Sequence, residues 1–551
     1  MMGKKVLIVG GVAGGASAAA RLRRLDEEME IIIFERGEHI SYANCGLPYY
    51  VSGVIAERDA LLVQTPEGMR NRFKIDVRTY SEVTRIFPDE KVIEVQEANG
   101  KIYRESYDQL LLSPGAAPLR PPIPGIDDIE ALVVRNVSDI DQIKRYIDEQ
   151  QPQTAAVIGG GFIGLEMAEN LQARGLNTTI IEMSNQVMAP LDFEMAAILH
   201  EHIFNKGVNL ILEDGVKSFA KKENKTMITL QSGEQIQADL TIMAIGVKPE
   251  IKLAKEAGLT IGDLGGIKVN DKLQTSDPNI YAVGDAVEVK NLITGQAALI
   301  PLAGPANKQG RIVADVIAGR DSRYKGTQGT SIAKVFDLAA ATTGVNEKML
   351  IKIGMPYEVS FTHSNSHASY YPGSTRVSVK LIFTKNDGRI LGAQIVGSQG
   401  VDKRIDDIAG VIRRQGTIYD LQELELAYAP PFSSAKDPVN MAGYVAENII
   451  VGDVRTIHWH ELIKIQAKDV CVVDVRTEEE RKGKFIPGSI HIPIDDLRGR
   501  LSELPQDKDI VVYCEIGLRG YLAYRILTQH GFKRVKSLSG GWVTYYPAVF
   551  G

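Results

Sequence analysis

Two isolated cysteines carry the most chemistry in this chain: Cys45 in SYANCGLPYY, residues 41–50, and Cys514 in VVYCEIGLRG, residues 511–520. The thiolate is the reactive form of cysteine, and helix N-termini, converging backbone amides and nearby cations stabilise it. The run GLPYYVSG after Cys45 predicts a helix start, and with it a lowered thiol pKa. The loop CEIGLRG predicts a strand-to-helix turn whose amides surround Cys514, closed by Arg519. The third cysteine, Cys471 in KDVCVVDV, reads as a small buried hydrophobe. A lone Cys45 leaves two reactions open: oxidation to a sulfenic acid, or a mixed disulfide with an external thiol.

The elements that must position these sulfurs begin with KVLIVG, an apolar strand that meets Gly10-Gly11-Val12-Ala13-Gly14-Gly15 and enters the small-residue helix ASAAARLRRL. Such a turn brings backbone amides to a pyrophosphate, and Glu35, closing EIIIFE, is spaced to bind a ribose hydroxyl. Val12 replaces the middle glycine of G-x-G-x-x-G. A second copy, TAAVIGGGFIGLEMAENL, has Gly159, Gly161 and Gly164 in full register, and its following strand NTTIIE ends at Glu182. A carboxylate there repels a 2′-phosphate and the next residues, MSNQ, supply no arginine, so NADH is expected over NADPH. Ser17, Arg21 and Arg24 recur at i, i+4 and i+7 on one helix face, a placement suited to phosphates.

A chain of 551 residues exceeds one hydrophobic core, and 44% hydrophobic with 24% charged residues is a globular balance. The net charge of −6, with no long Lys/Arg block, gives no footprint for nucleic acid or a membrane surface. The N-terminus shows neither a signal-peptide pattern nor a membrane-length apolar run, so a cytoplasmic protein is expected. Three widely spaced cysteines exclude a disulfide framework. No metal is expected.

NIYAVGDAVEV with Gly284-Asp285, LAGPANKQGR, YDQLLLSPGAAP (107–118) and LTIMAIGVKP (240–249) complete an ordered set with the two glycine-rich turns. That set resembles the flavin-dependent pyridine nucleotide–disulfide reductases over about the first 450 residues. The resemblance implies that Gly10, Gly15 and Glu35 hold the ADP half of FAD, Asp285 its ribitol, and that 107–118 and 240–249 cross between nucleotide domains. It also implies a missing first cysteine, with Ser41 at the partner position of Cys45. The wording around Cys45 resembles the coenzyme A-disulfide reductases, which hold CoA as a mixed disulfide. By that likeness Ser17, Arg21, Arg24, Ser41, Asn44, Asn307 and Lys436 face CoA or flavin. Tyr428 and Tyr370, with Tyr371 as the alternative, reach Cys45 from the other subunit of a homodimer. Residues 453–551 resemble a rhodanese domain, with Cys514 carrying sulfane sulfur and Arg519 beside it.

The expected fold is α/β: an FAD-binding domain (1–150 and 271–330) and an NAD(P)H-binding domain (151–270), both Rossmann-like, an α+β interface/dimerisation domain (331–450), and an α/β rhodanese domain (453–551). The expected function is NAD(P)H- and FAD-dependent reduction of CoA disulfide, extending to CoA persulfide or polysulfide. An NADH oxidase or peroxidase cycling Cys45 sulfenic acid, and a flavin-based redox sensor, stay open as alternatives.

Overall fold

The structure, a computed structural model, describes residues 4–551. It divides into two compact units, one running to Met183 and resuming at Ile211–Gly329, the other made of Ser184–Leu210 and Thr330–Gly551.

In the first unit, five parallel strands run in the order Ile280–Ala282, Gln109–Leu112, Lys5–Val9, Glu30–Phe34, Asp76–Arg78. Their near-continuous apolar runs are what a sheet covered on both faces requires. Lys5–Val9 lies at the centre, so its C-terminal end, where the first glycine turn follows, opens at the switch point of the sheet. Helix Ala13–Leu25 meets helix Ala303–Ile317 at very short range: a Cβ on Gly310 would lie 2.2 Å from the Gly14 carbonyl oxygen. A second parallel sheet is built around Thr154–Ile158, flanked by Asn177–Ile181 and Leu240–Met243, and feeds helix Phe162–Ala173. Between the sheets, Ala116–Pro118 pairs antiparallel with Val247–Pro249, inside the two segments expected to cross.

The second unit holds a five-stranded antiparallel sheet in the order Ser331–Val335, Leu338–Gly344, Ile390–Gly397, Arg376–Phe383, Glu358–Asn365. It also holds a parallel sheet ordered Thr456–Ile457, Val535–Leu538, Asp509–Tyr513, Val470–Asp474, Ile490–His491. Among the described residues, no helix is long and apolar enough to cross a membrane.

One element departs from the sequence expectation. Helix Phe193–Asn205, expected inside the nicotinamide-nucleotide domain, packs in the second unit. The reason is a buried charge. Lys380, fully buried in strand Arg376–Phe383, places its ammonium 2.8 Å from Asp192 and 2.6 Å from Glu347, and also binds Glu194. Burial alone lowers an ammonium pKa, but these carboxylates override it and hold Lys380 above its usual range. Glu194 also accepts from the Trp459 indole at 3.2 Å, tying the start of the C-terminal segment to the same cluster.

Candidate functional site

The two glycine turns are built alike. Gly10 has φ +94°, and a Cβ there would lie 2.1 Å from the Ser113 carbonyl oxygen; one on Gly15 would lie 1.9 Å from that of Gly10. Gly159 and Gly164 are crowded in the same way, by the carbonyls of Ala244 and Gly159. In each turn one amide is tied to the acid ending the next strand: Gly11 N–H donates to Glu35 at 3.1 Å and Gly160 N–H to Glu182 at 2.7 Å. These glycines and acids therefore set the turn itself. Gly161 is different, because a Cβ there meets nothing within 4 Å and its φ of −77° suits any residue. The fold does not demand that glycine, whereas the approach of a pyrophosphate to the backbone does. Asp285 sits in the single turn Gly284–Ala286, held by Gly284 N–H donating to Gln309 at 2.7 Å. Burial raises the Asp285 carboxyl above its usual range, with Arg135 opposing. The donor set and the open approach at Gly161 fit the dinucleotides expected at both turns.

Cys45 lies exposed in the one-turn segment Asn44–Gly46 that leads into helix Leu47–Ser52. The helix is only six residues long, and the chain's own groups push the thiol up, by burial first and then by Glu166 and Asp285. The lowering is expected from the helix dipole together with the flavin ring; of these two the helix is short and its dipole weak, and burial, with the two carboxylates, acts against it. Burial pushes Glu166 itself up to about 7, and the Tyr49 hydroxyl donates to it at 3.4 Å. Counting back five residues from Cys45, the spacing of a C-x-x-x-x-C pair, gives the fully buried Ile40 rather than Ser41. Ser41 has another distinction, a left-handed φ of +46°, fixed by its N–H donating to the Gly11 carbonyl at 2.8 Å and its carbonyl accepting from Val63 at 2.9 Å.

A cavity of about 350 Å³ gathers Ser17, Arg21, Arg24, Ser41 and Asn307. Ser17 donates to Asn307 at 2.5 Å. Arg21 is partly neutralised by Asp315, at 2.9 Å. Arg311 and Gln64 complete the polar lining and were not anticipated; Arg311 follows Asn307 by one helical turn, a spacing the sequence does display. The neighbouring Arg23 is instead buried, donating to backbone carbonyls including Phe73 and Met29. Asn44 is exposed and does not line this cavity, and Lys436 is exposed in the second unit.

In the second unit the Tyr370 and Tyr428 hydroxyls lie 3.0 Å apart, on side chains 73% and 47% exposed. Tyr371 turns its ring edge to His367 instead, so Tyr370 is the one paired with Tyr428. That hydrogen bond raises the Tyr370 phenol.

Cys514 directly follows strand Asp509–Tyr513 and is fully buried. Its sulfur accepts from Gly517 N–H at 3.2 Å, a single amide where a ring of them was expected. The turn is shorter than the sequence suggests, because helix Leu518–Gln529 already begins at Leu518 and Arg519 lies in its first turn. Arg519 forks onto Glu480 at 2.6 and 2.7 Å and holds that carboxyl down to about 2. The Cys514 loop rests on the last helix, Gly541–Phe550, through Trp542 N–H to the Cys514 carbonyl at 2.8 Å and Val543 N–H to the Glu515 carbonyl at 3.0 Å. That helix is pinned in turn by the buried His363, whose ring nitrogens lie 2.8 Å from Ser378 Oγ and 2.8 Å from Thr544 Oγ1.

Comparison with known proteins agrees along the whole chain. Residues 4–310 match the family described as pyridine nucleotide-disulphide oxidoreductase, 330–438 match its dimerisation domain, and 458–548 match the rhodanese-like domain. A coenzyme A disulfide reductase of Staphylococcus haemolyticus is 38% identical over 448 residues, 81% of this chain and 100% of that protein. The crystal structure of reduced Bacillus anthracis CoADR-RHD superposes with a TM-score of 0.97 at 55% identity, covering 99% of this chain and 98% of the other. An NAD-dependent persulfide reductase from A. fulgidus gives a TM-score of 0.93 at 39% identity, covering 98% and 100%. The chain belongs to the pyridine nucleotide-disulphide oxidoreductase family, in its coenzyme A disulfide reductase branch, and carries a rhodanese-like domain at its C-terminal end.

Proposed function

We propose that this protein reduces coenzyme A disulfide and CoA persulfide with NAD(P)H, through a mixed disulfide of CoA on Cys45. The observation that carries the reading is the cavity that joins Ser41, four residues from an unpaired thiol, to the cations Arg21, Arg24 and Arg311, a match for a thiol with a phosphate-bearing tail. Gly10, Gly15, Glu35 and Asp285 would hold FAD, and Gly159, Gly161, Gly164 and Glu182 the nicotinamide nucleotide. FAD, when bound, supplies the transfer of an electron pair between nicotinamide and sulfur. The Glu182 carboxylate, followed by the exposed Met183, favours NADH.

The rest belongs to the chain's own groups. The Cys45 thiolate attacks one sulfur of CoA–S–S–CoA, forming Cys45–S–S–CoA and expelling CoA–S⁻, so no bond or charge is left unbalanced. The paired Tyr370 and Tyr428 hydroxyls, contributed by the second subunit of a homodimer, donate to the departing thiolate. Because burial, and after it the carboxylates of Glu166 and Asp285, hold the Cys45 thiol up, thiolate formation relies on the bound flavin and substrate. Cys514 carries sulfane sulfur, with Gly517 N–H stabilising it and Arg519 beside it. Three free cysteines suit a reducing cytoplasm.

Parallel turnover of CoA disulfide and CoA persulfide tests the reading. Cys45→Ser is expected to abolish both reactions, and Cys514→Ser to spare the disulfide reaction. Full NADH oxidation with either CoA substrate in Cys45→Ser would remove the mixed-disulfide mechanism. Vigorous dioxygen consumption through a Cys45 sulfenic acid, without CoA turnover, would favour the oxidase alternative.

A further inference from the structure

The phenols of Tyr370 and Tyr428 stand on loops, and an exposed loop holds a side chain only as well as its base is tied down. Tyr370 lies in the loop 366–375, closed by Ser366 N–H donating to the Thr375 carbonyl at 2.7 Å and by Thr375 N–H donating to Ser366 Oγ at 3.1 Å. Tyr428 precedes the turn in which Ser433 N–H donates to the Ala429 carbonyl at 3.2 Å. The loops meet where Ala368 N–H donates to the Ser433 carbonyl at 3.0 Å.

Beneath both loops lies a buried cation. Arg404, in helix Val401–Arg413, is 1% exposed. Its Nη2 donates to the Ser366 carbonyl at 2.7 Å, where the Tyr370 loop closes, and its Nη1 to the Gly400 carbonyl at 3.0 Å. Nε and Nη2 reach the two carboxylate oxygens of Asp437 at 3.2 and 3.1 Å, and Lys403 stands 3.9 Å from the same acid. Asp437 accepts in turn from the Ser433 hydroxyl and from Val439 N–H at 2.9 Å, so it closes the Tyr428 segment and caps helix Pro438–Ile450. Burial raises the Asp437 carboxyl, but the Ser433 hydroxyl, the Val439 amide and Arg404 outweigh it and hold the group below its usual range. A guanidinium is planar, with its donors fixed relative to one another. One such group reaching Ser366 and Asp437 together therefore sets the spacing between the bases of the two loops.

The phenol contact depends on that spacing. The two hydroxyls meet at 3.0 Å on exposed side chains, and a shift of about half an ångström at either base would break the hydrogen bond. We propose that Arg404 is a positioning residue for the release of CoA, holding the Tyr370 and Tyr428 loops at the spacing that joins their hydroxyls, with Asp437 and Ser433 as its anchors. The inference rests on the reading that the phenol pair donates to the departing CoA thiolate. Arg404 is enclosed by protein and acts through the loops, so its loss shows in CoA release rather than in substrate binding.

Lysine at position 404 keeps a charge beside Asp437 but cannot span both loops. In single-turnover experiments on the full-length holoenzyme, Arg404→Lys is expected to slow CoA release about tenfold, with the KM for CoA disulfide within about twofold because Arg21, Arg24 and Arg311 are untouched. The deciding comparison repeats the substitution in a Tyr370→Phe/Tyr428→Phe background. There Arg404→Lys is expected to change release by less than about twofold, because the contact it sets is already gone. Ser433→Ala is expected to slow release about threefold with the phenols present and not without them, and carries the same comparison if Arg404→Lys does not fold. A loss that persists undiminished without the phenols, or wild-type release in the single variants, overturns the positioning role. Wild-type release by the Tyr370→Phe/Tyr428→Phe protein overturns instead the phenol reading on which that role rests.

Discussion

Replacing His363 by glutamine isolates a titrating pin between the dimerisation sheet and the helix that supports the Cys514 loop. Burial, with Arg376 adding, pushes His363 down to about 3, so in the folded protein it is neutral at any physiological pH. In the unfolded chain the ring takes up a proton near pH 6.5. The unfolded state therefore binds more protons as pH falls, and the stability contributed by neutral His363 is complete above about pH 6.5 and is lost progressively down to about pH 3. Each unit is worth about 1.36 kcal/mol, so lowering the pH from 7 to 5 removes about 2 kcal/mol through this one residue. Glutamine keeps a polar group facing Ser378 and Thr544 but does not titrate. The chain's two tryptophans, Trp459 and Trp542, both lie in the segment 453–551, so intrinsic fluorescence during urea unfolding reports on the domain concerned. With a urea slope of about 2 kcal/mol/M, the wild-type midpoint should fall between pH 7 and pH 5 by about 1 M more than that of His363→Gln. Parallel pH profiles for the two proteins, within about 0.5 kcal/mol, would refute the assignment of His363 as a buried neutral pin.

Other substitutions probe the elements that position the site. Lys380→Met leaves Asp192, Glu194 and Glu347 crowded without their cation and should cost about 3–5 kcal/mol in urea unfolding, whereas a loss under about 1 kcal/mol would mean that the cluster is already protonated or hydrated. Gly161→Val should fold and retain FAD, since its Cβ meets nothing, yet weaken NADH binding at least tenfold by calorimetry; unchanged affinity would detach Gly161 from the nucleotide. Tyr370→Phe and Tyr428→Phe each break the phenol pair and should slow CoA release about a hundredfold in single-turnover experiments, while wild-type release in both would remove the pair from the mechanism.

The nucleotide turns were legible because their requirements are local. Gly10, Gly15, Gly159 and Gly164 sit where a Cβ would strike a backbone carbonyl a few residues or one strand away, and Glu35 and Glu182 end the very next strand. The face carrying Ser17, Arg21 and Arg24 was legible for a similar reason, since helical spacing alone places these side chains together. What escaped depends on contacts distant in sequence. Nothing in RVSVKLIF marks Lys380 as a fully buried cation, because its three carboxylates come from two other segments, and those contacts draw helix Phe193–Asn205 into the second unit. Arg21 and Arg23 look alike in RLRRL, yet one lines a cavity while the other is consumed by backbone carbonyls. Burial first, and then Glu166 and Asp285 from over a hundred residues away, push the Cys45 thiol up against the helix dipole, and none of these is visible in the residues around Cys45.

The most direct measurement is the intact mass of the oxidised protein, followed by peptide mapping of Cys45. An adduct of one coenzyme A per Cys45 is expected, released on reduction with NADH and absent from Cys45→Ser. A Cys45 that carries only one or more oxygen atoms, in protein exposed to CoA disulfide, would contradict it.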